Sequence, residues 1–500
     1  MTERGGRWDA IVVGAGTSGS VVAALLSEDP SRRVLVLEAG PVPTSSSGLP
    51  RRLLDAGLVP GAAPRTAETS RYPAALTRDG GADFHVTRGR MLGGSSAING
   101  AAFVRPRPED FARWATAGLP WDHDTALPAM RRLERDLDLG ASALHGDAGP
   151  IPVHRTPLDH PIGAAFRDAA LDAGHPWEAD KNAPGEPGIG PLPRNVEHGR
   201  RVQPGDAYLL AARDRGNLVI LGEAPVIGLA VDGGRVVGVR YAVEGAEAIA
   251  RADEVVLCAG PVESTHLLLL AGIGPAVALR RAGLPVRLDA PGVGTAFADH
   301  PQVVLEWAPP RPAAAPAGEW TAGVLHAGSV ELLQGAKPLA ALGGDRTEPT
   351  GPLPLLVTDL APRSTGRLVL DPADPRLPPR LDYGYLADDA ARCALREGVR
   401  LGLELIRAMG GVLVSGPAST SGRDVDAWVR AHLTTAFHSC GTVPIGGPLD
   451  AAGRLRGIDG LRVADTSVLP DAPSRGPALA AVLVGELLGR GGAAADQPRT

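Results

Sequence analysis

Apolar residues recur along this chain with two different periods, and the first change of period comes early. Ile11, Val12 and Val13 form an unbroken apolar run after Trp8, the pattern of a strand covered on both faces in a parallel sheet. Val21, Val22, Leu25 and Leu26 then repeat at helical spacing, and Val34 to Leu37 form a second apolar run ending in Glu38. The stretch predicts strand, turn, helix, strand. From Pro41 to about Ala82 the chain is rich in Pro, Ser and Gly without a period, which predicts a long surface excursion of the kind that serves as a lid. A helix is predicted over Thr125 to Leu139, with Leu127, Met130, Leu133 and Leu137 on one face, and a short one near Ala164 to Ala173. Asn217 to Leu221 reads as a strand, and Val226 to Val231 pairs with Arg235 to Tyr241 across Asp232-Gly233-Gly234 as a hairpin. Val255 to Cys258 is another buried strand, followed by a helix from Ser264 to Leu270. Beyond residue 302 come alternating strands at Leu355 to Asp359 and Arg367 to Leu370, then a long helix from Asp388 to Met409 with Leu395, Val399, Leu403 and Ile406 in register. These elements predict an α/β fold: a Rossmann-like domain interleaved with an α+β domain built on an antiparallel sheet.

The turn between the first strand and helix carries chemistry. In Gly14-Ala15-Gly16-Thr17-Ser18-Gly19 the first glycine suits a tight turn, the second lets backbone approach a pyrophosphate, and the third allows helix and strand to pack closely. The N–H groups of Thr17 and Ser18 open the helix, whose positive dipole end favours an anion. Glu38, next to Ala39, follows the second strand and is placed to accept hydrogen bonds from a ribose diol. A carboxylate there disfavours the 2′-phosphate of NADP and leaves FAD and NAD open.

Composition narrows the partners. A net charge of −6 with no basic cluster interleaved with aromatics excludes a nucleic-acid surface. The three cysteines, Cys258, Cys393 and Cys440, are too scattered for a disulfide framework or a CxxC metal site, and no metal is expected. The first strand starts too early for a signal peptide to precede it, and no apolar run reaches membrane-spanning length. The expectation is a cytoplasmic protein without a transmembrane segment, with peripheral docking at the inner face of the membrane left open.

Arg88-Gly89-Arg90-Met91-Leu92-Gly93-Gly94-Ser95-Ser96-Ala97-Ile98-Asn99 resembles the first signature of the glucose-methanol-choline (GMC) oxidoreductases. Asp110 to Trp114, Trp121-Asp122 and His145 to Pro150 continue the resemblance. Ala259-Gly260 through Pro275 is similar to the second signature, with Thr265 and Ala271 where proline and serine are usual, and Pro291 to Gly294 with Asp299-His300 complete the set. The resemblance implies FAD, with Arg90, Met91, Gly93, Gly94, Ser95, Asn99, Gly100 and Ala101 along the flavin, Val226 at the adenine and Asp465 near the ribityl and pyrophosphate. It further implies that Pro477 and Ala478 open a last helix aimed at the flavin N1 and C2 carbonyl. Ile98 stands where some members attach the flavin through a histidine, so noncovalent FAD is implied. The implied domain plan is FAD-binding parts at 1–155, 201–300 and 432–500, a substrate-domain segment at 156–200 and the substrate-binding domain at 301–431.

His438, in Ala436-Phe437-His438-Ser439-Cys440-Gly441-Thr442, resembles the family's active-site histidine and is the candidate base for an alcohol giving hydride to flavin N5. Gly476 stands where a second His or Asn is usual, and the neighbouring Arg475 is the candidate replacement donor, with a solvent-facing side chain as the other reading. The Ser474-Arg475-Gly476-Pro477 wording, with Phe437-His438-Ser439-Cys440-Gly441-Thr442, is similar to the mycofactocin-associated subgroup, which implies a mycofactocinol dehydrogenase passing electrons to the respiratory chain or a quinone. A hydroxynitrile-lyase-like enzyme with non-redox flavin, an NAD-linked dehydrogenase and a silent flavoprotein are the competing readings.

Overall fold

The continuous apolar runs at residues 11–13 and 34–37 can be satisfied only between other strands. In the computed structural model, which describes residues 7–63, 66–80, 83–311, 313, 318–344, 351–361, 363–371, 374 and 376–491, they occupy the middle of a sheet. Its parallel part runs in the order Leu218–Leu221, Val34–Leu37, Trp8–Val13, Ala246–Leu257, Leu461–Val463, with Val12 flanked by Val36 and Val256. The Ala246–Leu257 strand serves twice: its second half pairs parallel with Trp8–Val13, and its first half pairs antiparallel with the Val226–Asp232/Arg235–Val243 hairpin. Helix Thr17–Leu26 is covered in turn by the last helix, Ala478–Gly489, and nearly every residue of both is buried. A Cβ on Gly485 would lie 2.8 Å from that of Val21, so the small residue sets how closely the two helices approach.

The second core is built on an antiparallel sheet in the order Val412–Ser415, Pro301–Ala308, Leu353–Asp359, Val330–Gly335, Thr321–Ala327, Ile189–Gly190. Helix Asp389–Ala408, capped by Asp388, lies across one face. Gly398 packs on Val330 and Val357 and Gly402 on Leu305, all at 2.7–2.8 Å from an added Cβ. Because side chains alternate along a strand, the residues between these, Glu331 and Thr358 among them, point to the opposite face, where the candidate site lies.

Three expectations of the fold fail. The helix predicted to Leu139 ends at Leu133, where the chain turns into the short strand Glu134–Asp136, parallel to Ile151–Arg155. Leu137 and Leu139 are 40% and 48% exposed; their apolar spacing belongs to no packed face, and the acidic residues before them are drawn into a buried ionic cluster instead. The excursion from Pro41 is not a free lid. Leu49 and Leu53 are buried, and Thr69–Ala75 pairs with Phe84–Gly89, placing Tyr72 and Val86 in the second core. Pro73 within the strand hid its alternation; Ala82 lies outside the described residues. Arg367–Val369 joins this smaller sheet through Arg380–Asp382 instead of the large one. Among the described residues no helix is long and apolar enough to cross a membrane.

Candidate active site

The three glycines of the first turn divide the work as their spacing predicts. Gly14 has φ +97°, and a Cβ there would lie 2.7 Å from the Cys258 carbonyl oxygen. A Cβ on Gly19 would lie 2.0 Å from the Gly14 carbonyl oxygen, whereas one on Gly16 would meet nothing nearer than 3.9 Å. Gly16 thus faces the open side. The Thr17–Leu26 helix has no side-chain cap and no acidic residue in its first turn, which leaves its N–H groups and dipole for an anion. Ser18 supplies only backbone, since its hydroxyl donates to the Ala481 carbonyl at 2.7 Å; Thr17 Oγ1 lies 3.5 Å from the Gly93 carbonyl. Glu38 accepts from the Ala15 and Gly40 N–H groups at 2.8 and 2.9 Å, and burial pushes its carboxyl up. Two bonds leave about half of a carboxylate's acceptor sites for a ribose. The Ala39 carbonyl accepts from Arg90 at 2.9 Å.

The glycine-rich stretch lies directly on this turn. Gly93 N–H donates to the Ala15 carbonyl at 2.7 Å, and Gly94, at φ +54°, would place a Cβ 3.0 Å from the Gly16 Cα. Ser95 Oγ accepts from Gly89 N–H. Met91 and Ile98 pack with Leu49, Leu53 and Ala97 in a small core, so both anchor the stretch, and the aliphatic Ile98 offers no nucleophile. Asn99 Oδ1 caps Ala101 N–H and accepts from the buried Arg201, while Trp320 donates to the Gly100 carbonyl at 2.9 Å. Across the cleft Gly260, at φ +82°, has open space where a Cβ would be. Asp465 departs from expectation: one oxygen accepts from Gly260 N–H and Ser264, the other from Ser467 N–H and its hydroxyl. Its acceptor capacity is filled, so it holds the backbone that faces a cofactor and does not reach one itself. Pro477 and Ala478 open a second helix without side-chain cap or first-turn acid, and Val226 stands partly buried at the start of the hairpin. Two uncapped helix ends, the open glycine surface and Glu38 fit an extended dinucleotide carrying a diphosphate.

His438 sits on a loop clamped from both sides. Asp299 Oδ1 accepts from the His438 N–H at 2.7 Å and from Thr435, and Oδ2 accepts from Ser439 at 2.6 Å. Arg88 donates to the Phe437 carbonyl at 2.6 Å and to Ser439 at 2.5 Å, which holds Phe437 at φ +62°. The imidazole itself is half-buried; its Nδ1 lies 2.9 Å from His300 Nδ1, the rings perpendicular at 86°. Its Nε2 faces Gly476, whose Cβ, if present, would be 3.5 Å away. Burial lowers His438 to about 4, against the pull of Glu331 and assisted by Arg88, and lowers His300 to about 3. Both rings are neutral at neutral pH.

Gln302, Thr358, Glu331 and His326 pair in register across four adjacent strands and form a polar row on the face away from the long helix. His326 lies 3.0 Å from Glu331; burial would raise that carboxyl, but His326, His438 and Arg475 hold it at about 2. Arg475 is 3% exposed and turns toward this wall: it donates to the Ser474 carbonyl at 2.6 Å, its Nη2 has the Glu178 carboxylate at 4.0 Å, and neither Nε nor Nη2 makes a hydrogen bond.

The GMC oxidoreductase family models match residues 8–302 and 362–485. The chain belongs to the GMC oxidoreductases. A GMC-type oxidoreductase of Rhodococcus erythropolis is 38% identical over 96% of this chain and 97% of its own length. An oxygen-dependent choline dehydrogenase of Chromohalobacter salexigens is 31% identical over 93% and 91%. Among solved structures, pyridoxine 4-oxidase from Mesorbium loti superposes with a TM-score of 0.85 at 28% identity, covering 97% of this chain and 99% of its own. As a GMC oxidoreductase the protein takes FAD, and the dinucleotide cradle described above is where it fits.

Several residues of this GMC oxidoreductase's site escaped sequence reasoning. Asp299 and His300 carried a signal, an acid and an imidazole directly before an alternating strand, but no assigned role. Glu331 had only a lone carboxylate among mostly apolar neighbours. Away from the site, Glu134, Asp136 and His145 come within metal-binding distance of one another. There His145 already meets Glu134, Asp136 and Asp180 at 2.8–3.1 Å, and Arg105 and Arg155 pair with the same carboxylates. The cluster is charge-balanced by its own cations. Burial alone would lower His145, but Asp180 and Glu134 raise it to about 9.

Proposed function

We propose that the protein oxidises an alcohol, with His438 as the base that takes the hydroxyl proton. The observation that carries this reading is a neutral imidazole whose Nε2 opens onto the space beside Gly476 while Nδ1 is engaged behind it. Bound FAD supplies the acceptor for the hydride leaving the carbinol carbon. The rest is the work of the chain. Asp299 and Arg88 fix the loop, so the imidazole is aimed before substrate arrives. Glu331, held ionised nearby, favours the arrival of a proton on His438. Gly476 leaves room for the hydroxyl next to Nε2. Relatives named for choline and pyridoxine, both alcohols, support the reaction class.

Arg475 we assign to the wall of this pocket, where the two nitrogens that make no hydrogen bond can meet a polar substituent of the substrate. The Ser474 to Pro477 wording makes reduced mycofactocin one candidate alcohol, with a respiratory carrier as the acceptor. The test is anaerobic stopped-flow against an alcohol panel that includes a mycofactocinol, then reoxidation by oxygen or a quinone analogue. The expected result is flavin bleaching with carbonyl product, slowed about 10²- to 10⁴-fold in His438→Ala. Carbonyl release without bleaching would indicate a lyase and overturn the reading, as would an unchanged rate in the variant.

A further inference from the structure

The hydrogen bond between His438 and His300 joins like atoms, Nδ1 to Nδ1 at 2.9 Å, so one ring must donate and the other accept. With both rings neutral, two tautomeric arrangements satisfy it. In the first, His300 donates, His438 carries its proton on Nε2, and the nitrogen facing the Gly476 space is a donor unable to take a proton. In the second, His438 donates from Nδ1 and keeps its Nε2 lone pair, and His300 carries its own proton on Nε2. His300 Nε2 is buried without a partner in either case. Only the second arrangement makes a base.

We propose that His300 is the positioning residue of this site: its Nδ1 accepts the His438 Nδ1–H, fixes the base-competent tautomer, and takes over that proton when His438 is protonated from the substrate side. The inference rests on His438 being the base. In the step, the substrate O–H bond breaks and an Nε2–H bond forms on His438. Its Nδ1–H bond breaks as an Nδ1–H bond forms on His300. His438 ends neutral with its proton on Nε2, and His300 ends as the imidazolium. The carbinol C–H bond breaks and its electron pair leaves with the hydrogen as hydride, for which bound FAD would supply the acceptor.

Burial and any charge on His438 oppose a proton on His300; the carboxylates of Asp299, its chain neighbour, of Glu331, on its strand of the antiparallel sheet, and of Asp471, on the loop before the last helix, favour one. Arg88, from the Phe84–Gly89 strand, opposes charge on His438. The other titratable groups packed around Asp299 are Tyr383, Tyr385 and Cys440, all pushed up by burial and so uncharged. A second imidazole, which this chain lacks at position 476, thus stands on the opposite ring nitrogen of the base.

The test uses the FAD-loaded enzyme, with His300→Leu, which removes the acceptor, and His300→Asn, whose amide oxygen can accept from Nδ1 but cannot hold a proton. First, ¹⁵N-histidine NMR of the resting enzyme reads the His438 tautomer without turnover. Wild type and His300→Asn are expected to show Nδ1 protonated and Nε2 free; Nε2 protonated in wild type would overturn the proposal. Second, anaerobic bleaching is followed against pH. His300→Leu is expected to slow it about 10²-fold at neutral pH by releasing the wrong tautomer, as loss of the orienting carboxylate does in a Ser-His-Asp triad. His300→Asn is expected to restore most of that loss and to shift the acid limb, because the proton then has nowhere to go. Unchanged rate and pH profile in both variants would overturn the proposal. His438→Ala in parallel separates the two readings: if it leaves bleaching intact, the base assignment fails, whereas a dead His438→Ala with unaffected His300 variants sinks the pair alone. Should His300→Leu not retain FAD, His300→Asn and the wild-type spectrum still decide.

Discussion

Gly476 leaves open the flank of the imidazole from which a hydroxyl must approach. A methyl group there would rest 3.5 Å from Nε2, an ordinary contact, and Gly476 does not need a positive φ. Gly476→Ala is therefore expected to melt like wild type and to lose about 10- to 10²-fold in kcat/KM, because the methyl fills the oxygen's place. Steady-state kinetics beside a thermal melt checks both halves. The acid side of the pH profile is set by the same ring. His438 is depressed from 6.5 to about 4 by burial, so it stays neutral, and able to accept a proton, well below the usual histidine range. Flavin bleaching should hold level as pH falls past 6.5 and decline only through about 4, read by stopped-flow across that window. The stability consequence has the same sign. In the unfolded chain the ring binds a proton near 6.5, in the folded one only near 4, so its contribution is present above 6.5 and lost as pH falls through about 4.

At the scale of elements, the strand–turn–helix opening separates two jobs that glycine performs. Gly16 has φ −74°, which any residue adopts, and neighbours no nearer than 3.9 Å from an added Cβ. Gly19 packs against the Gly14 carbonyl at a distance no Cβ tolerates. Gly16→Ala should fold normally and lose FAD, visible as reduced flavin absorbance per chain with an unchanged melt of the FAD-free protein. Gly19→Ala should lower the stability of that FAD-free protein itself by about 1–3 kcal/mol, because the helix must move off the turn. This element was legible in the sequence because its signal is local: an apolar run, three glycines and a carboxylate within forty residues. The Thr69–Ala75 strand was not, since Pro73 breaks its pattern and its pairing partner is what makes it a strand. The end of the helix at Leu133 was missed for a related reason: the spacing of Leu137 and Leu139 continued, but nothing packs on them.

At the scale of the whole molecule, the cluster around His145 ties the two cores together. It joins the chain after helix His123–Leu133 to Arg105, to the Ile151–Arg155 strand and to Asp180 in the segment leading to the antiparallel sheet. His145 is raised from 6.5 to about 9, so its contribution is complete below 6.5 and lost as pH rises through about 9. The unfolding midpoint should fall between pH 7 and 10, and His145→Gln should flatten that fall while costing about 3–5 kcal/mol at pH 7, as breaking a buried ion pair does; thermal melts across pH read both. By itself the sequence determined the dinucleotide turn, the two kinds of sheet and the long amphipathic helix, because periodicity and short motifs are properties of neighbouring residues; His438 as the candidate base came from its resemblance to the family's active-site histidine. Only the tertiary structure decided that His300, 138 positions away, stands behind that base, that Glu331 faces it from a strand of mostly apolar residues, that Asp465 is a cap and that Arg475 turns into the wall. Those arrangements arise from how sheets and loops distant in sequence pack, and burial then fixes the charge each group carries.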